Sequence, residues 1–224
     1  MKRVFCYYDE GVDPALLEDF IRQCRGVLSC TTISAKEVAA RRWTAEADVF
    51  VIPGGRDLPY VDALHTRGTE AIHDYVVEGG RFIGICAGAY FASAYVEFDK
   101  GGPLQVTGDR ALKFFPGKAI GPLFGSFGYD NEDGARILPV HSTTQHREFH
   151  CYYNGGCFFD QGESPQAFAE VLAVYDNGLA AIVKCQVGAG IALLSGVHFE
   201  RPLVDKAQEA GRKEFMAHLL QHVL

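Results

Sequence analysis

Cys86 stands between two glycines in "RFIGICAGAYFAS", residues 81–93. An apolar run ending in Gly-Ile-Cys-Ala-Gly, followed by small helix-compatible residues, is the pattern of a strand that turns sharply into a helix. Such a turn lifts one side chain above the C-terminal edge of a sheet, and its neighbours must be small because the backbone crowds there. Gly84 and Gly88 flank Cys86 at two residues on either side, with Ala87 and Ala89 alongside. A helix starting near Ala87 aims its free N–H groups at the sulfur and favours the thiolate. A tight junction with a buried thiol uses the same small residues, so the motif alone leaves both readings open. A second element is "LLSGVHFE", 193–200, an apolar strand ending at His198 with Glu200 two residues on. Positions i and i+2 of an extended chain face the same side. His198 can then take the thiol proton while Glu200 fixes the imidazole tautomer and stabilises the imidazolium. A third is "VIPGG", 51–55, whose bare backbone offers the N–H of Gly54 or Gly55, with that of Ala87, to an oxyanion. Together these groups suit attack on a carboxamide or related acyl carbon through a thioester that water hydrolyses, with no cofactor and no metal.

The elements that must place them alternate. "RVFCYY" (3–8) has strand character, and "DPALLEDFIRQC" (13–24) opens with Asp13 as N-cap and Pro14 at the first helical position. "GVLSCTTIS" (26–34) returns to strand, and "SAKEVAARRW" carries Ser34 and Glu37 at capping-box spacing. "ADVFVIPGG" (47–55) is a strand, "TRGTEAIHDYVVEGG" (66–80) a helix stopped by a glycine pair, and "RFIGIC" (81–86) a strand. Near-continuous apolar strands alternating with helices predict a parallel sheet covered on both faces. Residues 97–165 hold eleven of the 25 glycines and many aromatics, which predicts short antiparallel strands and tight turns. From 168 the pattern is strand, Asp-Asn-Gly turn, strand, Gly-rich turn, strand, then a helix in "DKAQEAGRKEFMAHLLQHVL". No repeat or linker interrupts residues 1–224, so a single domain is expected.

Bulk composition narrows the classes. A formal charge of −7 disfavours a nucleic-acid partner, since phosphate binding needs a basic face. No apolar run spans a bilayer, and "MKRVFCYYDEG" is too short in its apolar part to be a secretory signal. Seven cysteines at 6, 24, 30, 86, 151, 157 and 185 form an odd, irregular set without a CxxC pair. That fits free thiols in a reducing cytoplasm, including Cys151 and Cys157. His141, His146 and His150 lack metal-ligand spacing, and the His218/His222 pair reads as a solvated helix face. "FHCYYNGGCFF" (149–159) is a strong Asn-Gly-Gly hairpin signal, and its Tyr153 and Asn154 can equally line a pocket beside Cys86.

Pro-Gly-Gly, then Gly-Ile-Cys-Ala-Gly, then His-x-Glu, in this order, resembles the class I glutamine amidotransferases. More narrowly, "GICAGAYFAS", "FFPG", "YYNGG" and "HFE" resemble the domain at the N-terminus of some biotin–protein ligases, which also occurs free-standing. The resemblance spans nearly the whole chain. It implies an α/β, flavodoxin-like fold with a mostly parallel sheet and an antiparallel extension. It also implies Cys86 as nucleophile, His198 as base and Glu200 as its orienter, with Gly54, Gly55 and Ala87 at the oxyanion. It favours Tyr153, Asn154 and Gly88 as pocket residues. No Gly-Arg-Gly-Arg-type loop of a biotin ligase core occurs, so ligation is not expected of these residues, and none of them resembles a domain that would receive ammonia. The expected partner is a small polar substrate such as a carboxamide, with homodimerisation left open and no membrane or nucleic acid involved. Two alternatives stand beside the amidohydrolase. One is a ligand- or partner-binding domain that keeps the fold without turnover. The other is a DJ-1/PfpI-like thiol enzyme, against which His198-x-Glu200 counts.

Overall fold

The computed structural model describes residues 1–125, 127–129, 131–162 and 169–224. Its first part follows the alternation read from sequence: β1 (Lys2–Tyr7), α1 (Pro14–Cys24), β2 (Leu28–Ile33), α2 (Ala35–Ala39), β3 (Val49–Ile52), α3 (Asp57–Val77), β4 (Arg81–Ile85) and α4 (Ala87–Phe91). The Asp13 carboxylate accepts from the N–H groups of Ala15 and Leu16, and Ser34 and Glu37 close a capping box. Two boundaries move. The helix begun at Ser34 stops early because Arg41 adopts a left-handed φ of 62° and a 3-10 turn follows at Arg42–Ala45. That turn inserts Trp43 into the core, where its indole donates to the Val38 carbonyl. Helix α3 begins well before residue 66, and its two parts meet at His65, whose φ of 46° breaks the apolar period that sequence reading relies on.

The second part adds β5 (Ser93–Phe98), β6 (Val106–Asp109), β7 (Phe115–Gly121), β8 (Arg136–Ser142), β9 (Arg147–Tyr153) and β10 (Phe158–Asp160). It ends with β11 (Ala169–Tyr175), β12 (Ala180–Val187), β13 (Gly190–Ser195) and α5 (Lys206–Gln221). The strand start expected at Phe168 lies outside the described residues. All these strands join one sheet in the order β2-β1-β3-β4-β13-β12-β10-β7-β5-β6, with β11, β8 and β9 branching from β12. Strands β2, β1, β3, β4 and β13 are parallel, and β12 turns the sheet antiparallel. The pairing of β5 with β7 is parallel, where only antiparallel strands were expected. The β5–β6 hairpin reverses the chain, which then crosses to the other edge of β5 and enters in its direction; residue patterns do not record such a crossing.

Strand alternation feeds two cores. Phe50 and Ile52 of β3 face one layer with Phe82, Tyr60, Leu64 and Ile72 under α3. Val49 and Val51 face the other with Ile83, Phe20 and Phe215 under α1 and α5. Both faces of the parallel strands are therefore dry, which explains their unbroken apolar runs. Among the described residues no helix is long and apolar enough to cross a membrane.

Candidate functional site

The C-terminal ends of β3, β4 and β13 lie side by side, at the edge where open α/β sheets hold ligands. β4 runs straight into Cys86, whose φ of 50° and ψ of −105° lie outside the regions an L-residue occupies without strain. Such a backbone stores about 1–3 kcal/mol and persists only when its surroundings hold it. Here the Cys86 N–H donates to the Ser195 carbonyl of β13 at 2.8 Å, and the Cys86 carbonyl accepts from Ala89 and Tyr90 at 2.9 and 3.0 Å. Gly88 lets α4 settle against β3: a Cβ there would stand 2.1 Å from the Ile52 carbonyl oxygen. Gly88 is thus a packing contact beneath the turn rather than a pocket wall.

Past the end of β13, His198 and Glu200 are both buried. The His198 N–H donates to the Tyr152 carbonyl at 2.8 Å, and its ring packs edge-on against Tyr152. Imidazole Nδ1 lies 2.7 Å from Glu200 Oε1. Glu200 Oε2 has no partner among the described residues. Burial disfavours the imidazolium, but the Glu200 and Cys86 charges and hydrogen bonding to both outweigh it, and the His198 pKa is raised to about 10. Cys86, His198, Gly55, Tyr152, Asn154 and Arg201 line a common cavity of about 830 Å³. A recess of about 40 Å³ adjoins it, where Ala87 and Gly55 meet the aromatic rings of Phe98, Phe127 and Tyr129.

The expected backbone donors separate. Hydrogen bonds from Arg56 N to Gly11 O and from Asp13 N to Gly54 O flank the Val12–Gly55 pair, so the Gly55 N–H points away from that bridge. Neither Gly55 nor Ala87 has an acceptor for its N–H among the described residues, and both border the recess at Cys86. Gly54 has a different task. Its carbonyl accepts from Asp13 and from the Tyr60 hydroxyl, and its missing Cβ makes room for the imidazole, since a Cβ would lie 2.6 Å from His198 Cε1.

Of the two hairpin residues, Asn154 lines the cavity and its carbonyl oxygen is 3.8 Å from the Cys86 sulfur. Tyr153 does not line it. It is fully buried, its hydroxyl donating to the Gly156 carbonyl and accepting from Leu123 N at 2.6 Å. Tyr152 fills the place expected of it. Strand alternation sends only one of two adjacent tyrosines to the site, and the sequence did not reveal which. Tyr153→Phe is expected to cost about 1–3 kcal/mol by leaving the Leu123 N–H unpartnered. The thermal midpoint should drop while Cys86 keeps its wild-type alkylation rate; a slowed Cys86 would return Tyr153 to the site.

The wider surface supplies context. All seven cysteines are free, Cys151 and Cys157 included. Among the described residues no cluster of three His, Cys, Asp or Glu side chains suits a metal. His141 bonds Asp176 at 2.6 Å, and His218 bonds Thr144 at 2.8 Å with the His222 ring 3.4 Å away. Arg201, absent from the sequence expectations, lies over the Tyr152 ring and is anchored on Asp19 at 2.8 Å.

A family model described as "Biotin-protein ligase, N terminal" matches residues 2–223. The chain belongs to this family. A biotin–protein ligase of Schizosaccharomyces pombe is 36% identical over 204 residues, which are 84% of this chain and 32% of the ligase. The chain therefore spans about a third of that relative's length. An uncharacterized protein of Chlamydia muridarum is 34% identical over 212 residues, covering 89% of this chain and 81% of its own. Solved structures similar in fold include PurLQS of Thermotoga maritima, with a TM-score of 0.64, 13% identity and coverage of 100% of this chain and 99% of that one. A Thermoplasma acidophilum protein assigned to GMP synthase gives a TM-score of 0.59 at 13% identity, over 98% and 92% of the two chains. The family member described here thus shares the fold of these structures: a mostly parallel sheet between helices, extended by antiparallel strands.

Proposed function

We propose that Cys86, His198 and Glu200 act together as nucleophile, base and orienting acid in the hydrolysis of an amide. The observation that carries this is the strained positive-φ turn that places Cys86 on a cavity shared with His198. A merely structural cysteine needs no such backbone. The imidazole is held protonated to about pH 10, and an imidazolium beside a cysteine favours the thiolate. The thiolate attacks the amide carbon, and the new oxyanion is received by the N–H groups of Gly55 and Ala87. His198 gives its proton to the departing nitrogen, leaving a thioester. The neutral imidazole then takes a proton from water, whose oxygen attacks the thioester, and collapse releases the acid and restores the thiolate. Glu200 holds Nδ1 throughout, so that Nε2 carries the proton traffic. A small polar carboxamide is the substrate class of this chemistry.

The test has two parts. Cys86 should react with iodoacetamide near neutral pH faster than the other six cysteines, and Cys86→Ala should remove that fast phase. A panel of carboxamides, glutamine included, should then yield acid or ammonia with the wild-type protein and not with Cys86→Ala. If Cys86 reacts no faster than the other cysteines, the hydrolase proposal is wrong. Fast labelling with identical backgrounds for both proteins across the panel favours a second reading, a binding domain that keeps the turn without turnover. That reading draws on membership in a family described by the terminus of a ligase rather than by a hydrolase.

A further inference from the structure

Arg212 is fully buried, a costly place for a guanidinium unless all of its donors are met. They are. Nε and Nη2 grip Glu209 in two prongs at 2.7 and 2.8 Å, one turn earlier on α5. Nη2 also donates to Gln23 of α1 at 2.9 Å. Nη1 donates to the Phe199 carbonyl at 2.5 Å and meets the Met216 sulfur at 3.8 Å. Phe199 is the residue between His198 and Glu200. By this point β13 has ended, at Ser195, and among the described residues an isolated antiparallel bridge of His198 with Tyr152 is the strand pairing that reaches the segment. What holds it is the Tyr152 carbonyl accepting from His198 N on one side and Arg212 reaching Phe199 O on the other.

We infer that Arg212 is a positioning residue for the His198–Glu200 pair. The inference rests on reading those two side chains as a working pair. Arg212 acts through the Phe199 peptide. Fixing that carbonyl sets the directions in which the flanking side chains leave the backbone, and so keeps Nδ1 of His198 on Oε1 of Glu200. If its only task were to tie α5 to α1, the bonds to Glu209 and Gln23 would suffice. The bond to Phe199 is the one that links the helical layer to the site.

The test is an NMR titration of the His198 ring in Arg212→Lys, Arg212→Met and Glu209→Gln. Lysine keeps the charge without the planar fork that reaches Glu209, Gln23 and Phe199 at once. Methionine keeps much of the volume and no donor. Both Arg212 variants are expected to lower the His198 midpoint by a pH unit or more, a tenfold change in proton affinity. Glu209→Gln should lower the melting temperature while leaving the midpoint at its wild-type value, because Nη1 still holds Phe199. A wild-type midpoint in folded Arg212→Lys overturns the inference, as does an equal shift in Glu209→Gln, which would signify general loosening. Should Arg212→Met not fold, Arg212→Lys decides alone. Alkylation of wild-type Cys86 is measured alongside. A slow Cys86 beside a high His198 midpoint would end the hydrolase proposal, while the role of Arg212 would still be judged by the titration.

Discussion

Glu200→Gln is expected to bring the His198 midpoint down from about 10 to below the ordinary histidine value of about 6.5. Burial alone favours the neutral ring, and Glu200 is the foremost of the influences that oppose it. At pH 7.5 the variant then holds a neutral imidazole, and the sulfur loses the neighbouring cation that favours a thiolate. Alkylation of Cys86 should slow by about a hundredfold or more. Amide turnover should fall by about 10³–10⁴-fold, the size of effect seen when the orienting acid of such a set is neutralised. Stability gives an independent readout of known sign. A histidine whose folded pKa lies above its unfolded one binds more protons folded than unfolded across the interval between them. Its contribution is complete below about pH 6.5 and is lost as pH rises toward about 10. In a Cys86→Ala background, which removes the thiol's own titration, the protein should therefore lose stability from pH 6.5 to 8.5 relative to its Glu200→Gln counterpart, as denaturant midpoints would show. Parallel curves for the two proteins, or an unmoved His198 midpoint, would mean that Glu200 does not charge the ring.

The second large effect concerns a residue with no chemistry of its own. Gly88→Ala should abolish fast Cys86 labelling and destabilise the fold by more than about 4 kcal/mol, at the exceptional end for a single substitution. The added Cβ would lie 2.1 Å from the Ile52 carbonyl oxygen, and that neighbour is backbone in a central strand with nowhere to go. Relief requires α4 to lift from β3, which undoes the turn at Cys86. Gly162→Ala is the matched control. Among the described residues nothing stands within 4 Å of a Cβ added there, so the strain of its φ of +64° is what is felt, about 1–2 kcal/mol. Calorimetry of the pair checks this. Equal losses would show that the approach of α4 to β3 is not the constraint.

The parts of this molecule that were legible in sequence are those written locally. Asp13, Ser34 and Glu37 announce helix starts through side-chain to backbone bonds a few residues apart, and the structure has them. Unbroken apolar strands announce burial on both faces, and β3 and β4 have it. That Cys86 and His198 share one cavity was legible because each follows an apolar strand, with glycines or an i+2 partner beside it. What was hidden depends on distant partners or on phase. The kink at His65, the parallel pairing of β5 with β7 and the choice of Tyr152 over Tyr153 are set by tertiary packing that overrides local preference. Arg212 was hidden most fully, because an arginine on an amphipathic helix ordinarily reads as solvent-facing, and nothing nearby in sequence names Phe199 as its target.

The pairing of β4 with β13 has a consequence for how the protein matures. Ser195 sits opposite Ile85, so the cysteine and the histidine that follow these residues are neighbours in space across more than a hundred positions of chain. Contacts of such long sequence separation form late, after the intervening segments have been ordered. During synthesis the N-terminal strands can gather while β13 is still unmade. Until it arrives, Cys86 has neither an imidazole to charge it nor the Ser195 carbonyl that holds its turn. The sulfur would lack both until the segment carrying β13 and His198 has been made. The surroundings of Cys86 are thereby completed only after the other six cysteines, Cys185 included, have been made.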